Sequence, residues 1–278
     1  MKRLISIVSL VALWPLAVSW AQVYAPNKAG VSMGQWYTIV KDVDATKKFW
    51  MVFGGKPIKI DDTEVMKFPG VLIFMKQGTP TGPSVGTAVN HVGFGVPDAA
   101  KELAAWKALG GKTSEVRNSP LNGQHTGDVV SPDELTVEFT EENGIAPYPQ
   151  LPPNTLIESN HIHFGVLGSS RTEVQAWYVK MFGAIPGKLG DNLTGDIPGV
   201  KFLRWGNGKD MPLPTKGRAL DHIGFEVKNL QEFCKKLEAS GVKFDGPYSK
   251  SRHKSFASAE LTDPMGVSIE LTEGLNRF

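Results

Sequence analysis

One short segment occurs three times in this chain, and no other feature limits its possible folds as much. Asn90-His91-Val92-Gly93-Phe94-Gly95-Val96 returns as Asp221-His222-Ile223-Gly224-Phe225-Glu226-Val227, with Asn160-His161-Ile162-His163-Phe164-Gly165-Val166 between them. Each copy alternates with the period of two that marks a half-buried strand. His91, His161 and His222 therefore share a polar face with Gly93, His163 and Gly224, while the Val, Ile and Phe residues pack inward. A second repeat accompanies the first, since Phe68-Pro69-Gly70-Val71 matches Ile197-Pro198-Gly199-Val200. Residues from about 34 to 143 thus recur from about 158 to 273, and duplication is the first fact about the architecture.

Within each half the pattern divides again. Four helical stretches, Asp44 to Phe53, Ala99 to Leu109, Glu173 to Phe182 and Leu230 to Ser240, each follow a short alternating strand and stop at a glycine, the usual residue of a C-terminal cap. Short strands follow each helix, among them Lys56 to Ile60, Val71 to Lys76, Leu135 to Thr140 and Val267 to Thr272. Four strand–helix–strands units are expected, two in 34–146 and two in 158–274. Pro147, Pro149, Pro152 and Pro153 stiffen the connection at 147–157, where neither helix nor strand can continue.

The first twenty-one residues read as a cleavable export signal. Lys2 and Arg3 precede an apolar stretch from Leu4 to Val18, and Ser19-Trp20-Ala21 supplies a small-x-small cleavage site before Gln22. The apolar run is short for a membrane crossing and Pro15 interrupts it, so a secreted or periplasmic mature protein with no membrane attachment is expected. Lys2 and Arg3 also account for the formal excess of 30 basic over 28 acidic residues. A near-neutral mature chain argues against nucleic acid as a partner. The single cysteine, Cys234, forms no intramolecular disulfide and sits at helical spacing among Leu230, Phe233 and Leu237, as a small core residue does.

Four such units with histidines on their first strands resemble the vicinal oxygen chelate superfamily of glyoxalases, bleomycin- and fosfomycin-resistance proteins and extradiol dioxygenases. The segment 221–227 together with Leu261-Thr262-Asp263-Pro264-Met265-Gly266-Val267-Ser268-Ile269-Glu270-Leu271 carries the likeness most specifically. The resemblance implies an α+β fold of four βαβββ modules paired into two open, cup-shaped half-barrels. It also implies a divalent metal held by first-strand residues of two paired modules and a last-strand residue of one. If each half closes its own cup, the second half supplies His161, His222 and Glu270, a two-histidine, one-carboxylate set that suits Fe(II), with Mn, Zn or Ni as alternatives. The first half supplies a second or degenerate set, Gln35, His91 and Glu138. His163, Glu226 and His253 are placed around the pocket, lining it or supporting the ligands.

The implied function is that of an exported metal enzyme acting on a small oxygen-rich or aromatic molecule, with dioxygenase-like chemistry first. A glyoxalase-type isomerase or lyase is the alternative within the family, and a non-catalytic periplasmic binding protein is the alternative outside enzymes. Against ring cleavage stands the stretch Ser251 to Glu260, which offers His253 and no tyrosine. Lys216, Arg218 and Arg252 form a candidate basic rim. A small molecule is the expected partner, and a homodimer is one admissible assembly.

Overall fold

The structure, a computed structural model, describes residues 23–119, 123–141, 157 and 159–278. The stretch 1–21, expected to be an export signal, and, apart from Ile157, the expected linker at 147–157 lie outside the described residues.

The chain folds as four consecutive modules, as the repeats imply. The first comprises β1 (Val31–Val40), α1 (Val43–Val52), β2 (Lys56–Ile60), β3 (Thr63–Phe68) and β4 (Val71–Gln77). The second comprises β5 (Val89–Val96), α2 (Ala99–Lys107), β6 (Lys112–Thr113), β7 (Arg117–Asn118), β8 (His125–Val130) and β9 (Thr136–Glu141). The third runs through β10 (Ser159–Phe164), α3 (Arg171–Phe182), β11 (Ile185–Leu189), β12 (Asn192–Ile197) and β13 (Val200–Trp205). The fourth runs through β14 (Leu220–Val227), α4 (Leu230–Ala239), β15 (Phe244–Ser249), β16 (Ala257–Thr262) and β17 (Ser268–Glu273). Asp42 and Asp98 open α1 and α2 by accepting the backbone N–H groups of Ala45 and Lys101, each at 2.9 Å, which satisfies donors that the first helical turn leaves free. Each helix stops one to three residues before the glycine expected to end it. No helix among the described residues is long and apolar enough to cross a membrane.

The modules pair in an order that the sequence reading did not anticipate. One eight-stranded sheet runs β15-β16-β17-β14-β1-β4-β3-β2 and joins the fourth module to the first. One nine-stranded sheet runs β11-β12-β13-β10-β5-β9-β8-β6, with β7 beside β8, and joins the third module to the second. The central seams are antiparallel, β1 against β14 and β10 against β5. Each half therefore gives one module to each sheet, and the expectation that residues 34–146 and 158–274 each close their own cup is corrected. The duplicated turns at 69–70 and 198–199 lie together, and the Met33 N–H donates to the Pro198 carbonyl at 2.7 Å.

One apolar core holds both sheets. Trp36 of β1 packs on Phe94 of β5 with ring centroids 5.3 Å apart, and Phe68 lies 5.0 Å from the same ring. Phe182 of α3 meets Phe225 of β14 at 4.9 Å, again from one sheet's module to the other. Cys234 is buried and free, as expected. Because Phe94 contacts aromatic rings from both sheets, Phe94→Ala should cost about 3–5 kcal/mol. Denaturant unfolding of the variant checks this, and a loss below about 1 kcal/mol would show that the two sheets do not share a core at this ring.

Candidate metal centre and its twin

Register decides which side chains converge. In the nine-stranded sheet, Gly93 of β5 lies opposite His161 of β10 on one side and Glu138 of β9 on the other. In the eight-stranded sheet, Gly224 of β14 lies likewise between Gln35 of β1 and Glu270 of β17. The structure therefore brings His161 together with His91 and Glu138, and brings His222 and Glu270 together with Gln35. The grouping of His161 with His222 and Glu270 is corrected, because these residues belong to different sheets. The two glycines are needed where they stand. A Cβ on Gly93 would come within 2.2 Å of the His161 ring, and one on Gly224 within 2.5 Å of Gln35 Cγ.

Among the described residues, His91, Glu138 and His161 form the one group of His, Cys, Asp or Glu side chains whose donor atoms all lie within 4.8 Å of one another. Glu138 Oε2 stands 3.1 Å from His161 Nε2 and 3.6 Å from His91 Nε2. The shorter contact is not aligned as a hydrogen bond and the longer is too long for one, so both imidazole Nε2 atoms are buried without a hydrogen-bond partner, as His222 Nε2 is. Asn90 Oδ1 lies 3.0 Å from His91 Nδ1, an arrangement that leaves Nε2 as the electron-pair donor. Separations near 3 Å are about what adjacent donors show around an ion that each reaches at ~2.1 Å. The residues fit a divalent metal.

Protonation agrees with that fit. Burial, with the Arg204 charge acting in the same direction, drives the His161 imidazole down to about 3. It is therefore neutral across the physiological range, as a ligand must be. Burial opposes ionisation of Glu138, but the neighbouring His161 and His91 rings and the Arg204 guanidinium hold its carboxyl well below the usual range. His163, expected near the pocket, stands edge-on to His91 with centroids 4.6 Å apart. Burial first, and then the charges of His91 and Arg204, push it to about 2. A cavity of about 340 Å³ opens beside these residues, lined also by Arg117, Asn192 and Arg204.

The twin cup is occupied by its own side chains. The Gln35 amide nitrogen donates to Glu270 Oε2 at 2.5 Å, and His253 Nε2 meets Glu270 Oε1 at 2.9 Å. His222 Nε2 is 3.4 Å from Glu270, and its Nδ1 is 2.7 Å from Asp221 Oδ1. Burial acts to lower the His222 imidazole, but Asp221 and Glu270 raise it above its ordinary value, toward the cation that cannot ligate. Tyr37 stacks on the His222 ring at 4.4 Å. The cavity here is about 170 Å³. Of the expected basic rim, Lys216 is tied to Asp221 and Glu260 at 3.3 and 3.6 Å and Arg252 to Glu260 at 3.7 Å, whereas Arg218 has no ion pair among the described residues.

Glu226, expected beside the pocket, has a structural place instead. Its carboxylate accepts from the Thr272 hydroxyl at 2.8 Å and the Gly274 N–H at 2.7 Å, fixing the turn after β17. Arg204 was not anticipated from the sequence. It lies on β13 opposite His163, and its Nη2 is 2.7 Å from Glu138 Oε2. Nor was the residue before each histidine used, although the repeat displays it: Asn90 and Asp221 orient their neighbours, while Asn160 donates to the Gly199 carbonyl at 2.6 Å.

Two cups of paired βαβββ modules, one with two imidazoles and a carboxylate converging, define a protein of the oxygen-chelate type. A family model described as the glyoxalase/bleomycin resistance protein/dioxygenase superfamily matches residues 88–271, and the chain belongs to that superfamily. Glyoxalase I from Zea mays superposes with a TM-score of 0.67 at 16% identity, covering 89% of this chain and 94% of that one. A putative dioxygenase from Bacillus subtilis gives 0.62 at 15% identity, covering 87% of this chain and 86% of that one. Both likenesses concern the fold. No curated protein matches the chain.

Gly93→Ala tests the convergence directly. The added methyl has to displace His161, and overpacking of this kind costs about 1–3 kcal/mol. Denaturant unfolding should show that loss; unchanged stability would mean that His161 does not occupy the space above Gly93.

Proposed function

We propose that this chain is a divalent-metal enzyme whose ion is held by His91 Nε2, His161 Nε2 and a Glu138 oxygen, acting on a small oxygen-rich or aromatic molecule. The observation that carries the proposal is the convergence of two buried, unpartnered imidazole nitrogens on one carboxylate, all within 4.8 Å of one another. Leaving them so costs free energy unless a ligand completes them. Two histidines and one carboxylate suit Fe(II) first, and Mn, Zn or Ni as well. A divalent ion there supplies Lewis acidity and open positions toward a substrate oxygen.

The protein's own groups divide the remaining work. Asn90 fixes the His91 ring, Arg204 pins Glu138, and Gly93 keeps the space between the donors clear. His163 and Asn192 line the cavity in which a substrate is held. Dioxygenase-like chemistry is the first reading, with a glyoxalase-type isomerase or lyase second. The contact of Arg204 with Glu138 at 2.7 Å favours one reading outside enzymes, in which the guanidinium neutralises the carboxylate and the cup only binds a ligand.

Elemental analysis decides between these readings. The protein should carry about one divalent ion per chain, lost in His91→Ala and His161→Ala and kept in His222→Ala. A metal-free wild type under metal-replete expression would defeat the enzyme reading. Oxygen uptake with a catechol panel after Fe(II) loading then separates dioxygenase from isomerase.

We also propose export, on the strength of Lys2, Arg3, the apolar stretch to Val18 and the Ser19-Trp20-Ala21 site. Expressed with its leader in a bacterium, the protein should be recovered from the periplasm with Gln22 at its N-terminus. Recovery from the cytoplasm beginning at Met1 would refute this.

A further inference from the structure

We propose that the molecule taken by the His91/His161/Glu138 cup is a small organic acid, its carboxylate received by the Arg204 guanidinium. This inference rests on the proposed site; the placement and the unpartnered Nε of Arg204 carry it without the metal, and the charge balance adds to it when the metal is bound. It begins from position. On the last strands of the second and fourth modules, Glu138 lies opposite Gly93 and Glu270 opposite Gly224. The equivalent place on β13, opposite His163, holds Arg204, and on β4, opposite Tyr37, it holds Phe74. One cup has therefore exchanged a side chain beside the donors for a cation, and the other for a phenyl ring.

A buried guanidinium is expensive unless anions compensate it. The Arg204 side chain is 6% exposed; its Nη2 has Glu138, while its Nε is buried without a partner. Arg117 also faces the cavity, holding Asp128 at 2.9 Å and reaching Glu138 Oε1 at 3.4 Å. Two guanidinium groups thus share two carboxylates, and among the described residues the only carboxylate lining the cavity is Glu138. These four charges cancel; a divalent ion on Glu138 would make the balance +2, and a monoanionic substrate lowers that to +1. Arginine's planar fork matches a carboxylate. A cavity of about 340 Å³ stands at the small end of ligand pockets. In the twin cup Phe74 stands where Arg204 does here; Lys216 and Arg252 are ion-paired there, and Lys76 lines the cavity without an ion pair among the described residues.

Thermal-shift and calorimetric titration with benzoate and 2-hydroxybenzoate, against benzamide and 2-hydroxybenzamide, test the proposal. The wild type should bind the acids in preference to the amides. Arg204→Met should weaken acid binding by roughly 10- to 100-fold, the range of a charge-assisted hydrogen bond, with Arg204→Lys between them and His222→Ala unchanged. Acids and amides binding alike to the wild type would overturn the proposal, and this comparison needs no variant to fold. Full acid affinity in Arg204→Met would overturn it as well. Metal content is measured on the same samples before and after chelation. An Arg204-dependent acid preference in metal-free protein upholds this inference while the enzyme reading fails; metal-loaded protein without that preference does the reverse.

Discussion

The site depends on the space above one atom-poor position. Gly93 sits at the middle of a sheet between two strands that each present a long polar side chain, and the absence of its Cβ lets those side chains meet. Everything chemical in the cup follows from that gap. His161 and Glu138 come within 3.1 Å above Gly93, and His91, two residues along the same strand face, completes the set. The same device operates at Gly224, where Gln35 and Glu270 close over it to 2.5 Å. Strand glycines usually weaken a sheet. Here the loss is offset by a close approach that no other residue permits, and the large aromatic core beneath, with Trp36 against Phe94, supplies the stability that tolerates it.

The modules, their helices and the polar face of each histidine strand were legible in the sequence, because period-two alternation and helix-ending glycines are local signals. The pairing of modules was not, and the reason is specific. His161 and Gln35 occupy equivalent places on β10 and β1, and His91 and His222 on β5 and β14. Pairing within halves and pairing across halves therefore produce the same inventory: one cup with two histidines and a glutamate, one with a glutamine, a histidine and a glutamate. No count of donors distinguishes them. Only the antiparallel seam of β10 against β5 assigns His161 to Glu138 and not to Glu270. Arg204 was missed for a related reason, since its meaning lies in standing where another module carries glutamate, and that equivalence appears only in the ladder.

The two cups show how one backbone plan diverges through few side chains. In the eight-stranded sheet, Glu270 is held by Gln35 and His253, with His222 nearby, and His222 is tied to Asp221. These contacts leave a cavity of about 170 Å³. A buried network of this kind fixes a seam and specifies register, although Gln35 Oε1 and His222 Nε2 have no hydrogen-bond partner in it. In the nine-stranded sheet, His161 replaces the glutamine, and an imidazole ring lacks the amide N–H that saturates Glu270. This cup's two Nε2 atoms lack hydrogen-bond partners, as His222 Nε2 and Gln35 Oε1 do in the twin cup, but here they converge on one carboxylate beside a cavity of about 340 Å³.

Charge then separates the cups further. His222 is raised toward the cation by Asp221 and Glu270, whereas His161 is driven to about 3 by burial and by Arg204. Arg204 thus does two things that pull in opposite directions. It keeps the imidazole neutral and available as a donor, and it grips the carboxylate that would complete a metal site. A cation in that place is costly to bury and serves no packing purpose that a leucine would not serve better. Its place beside unsatisfied imidazoles accords with the proposed anion, which would join Glu138, the one counter-charge of Arg204 among the described residues. The orphaned nitrogens and the buried guanidinium then have separate partners: the proposed cation answers the first and the proposed anion the second.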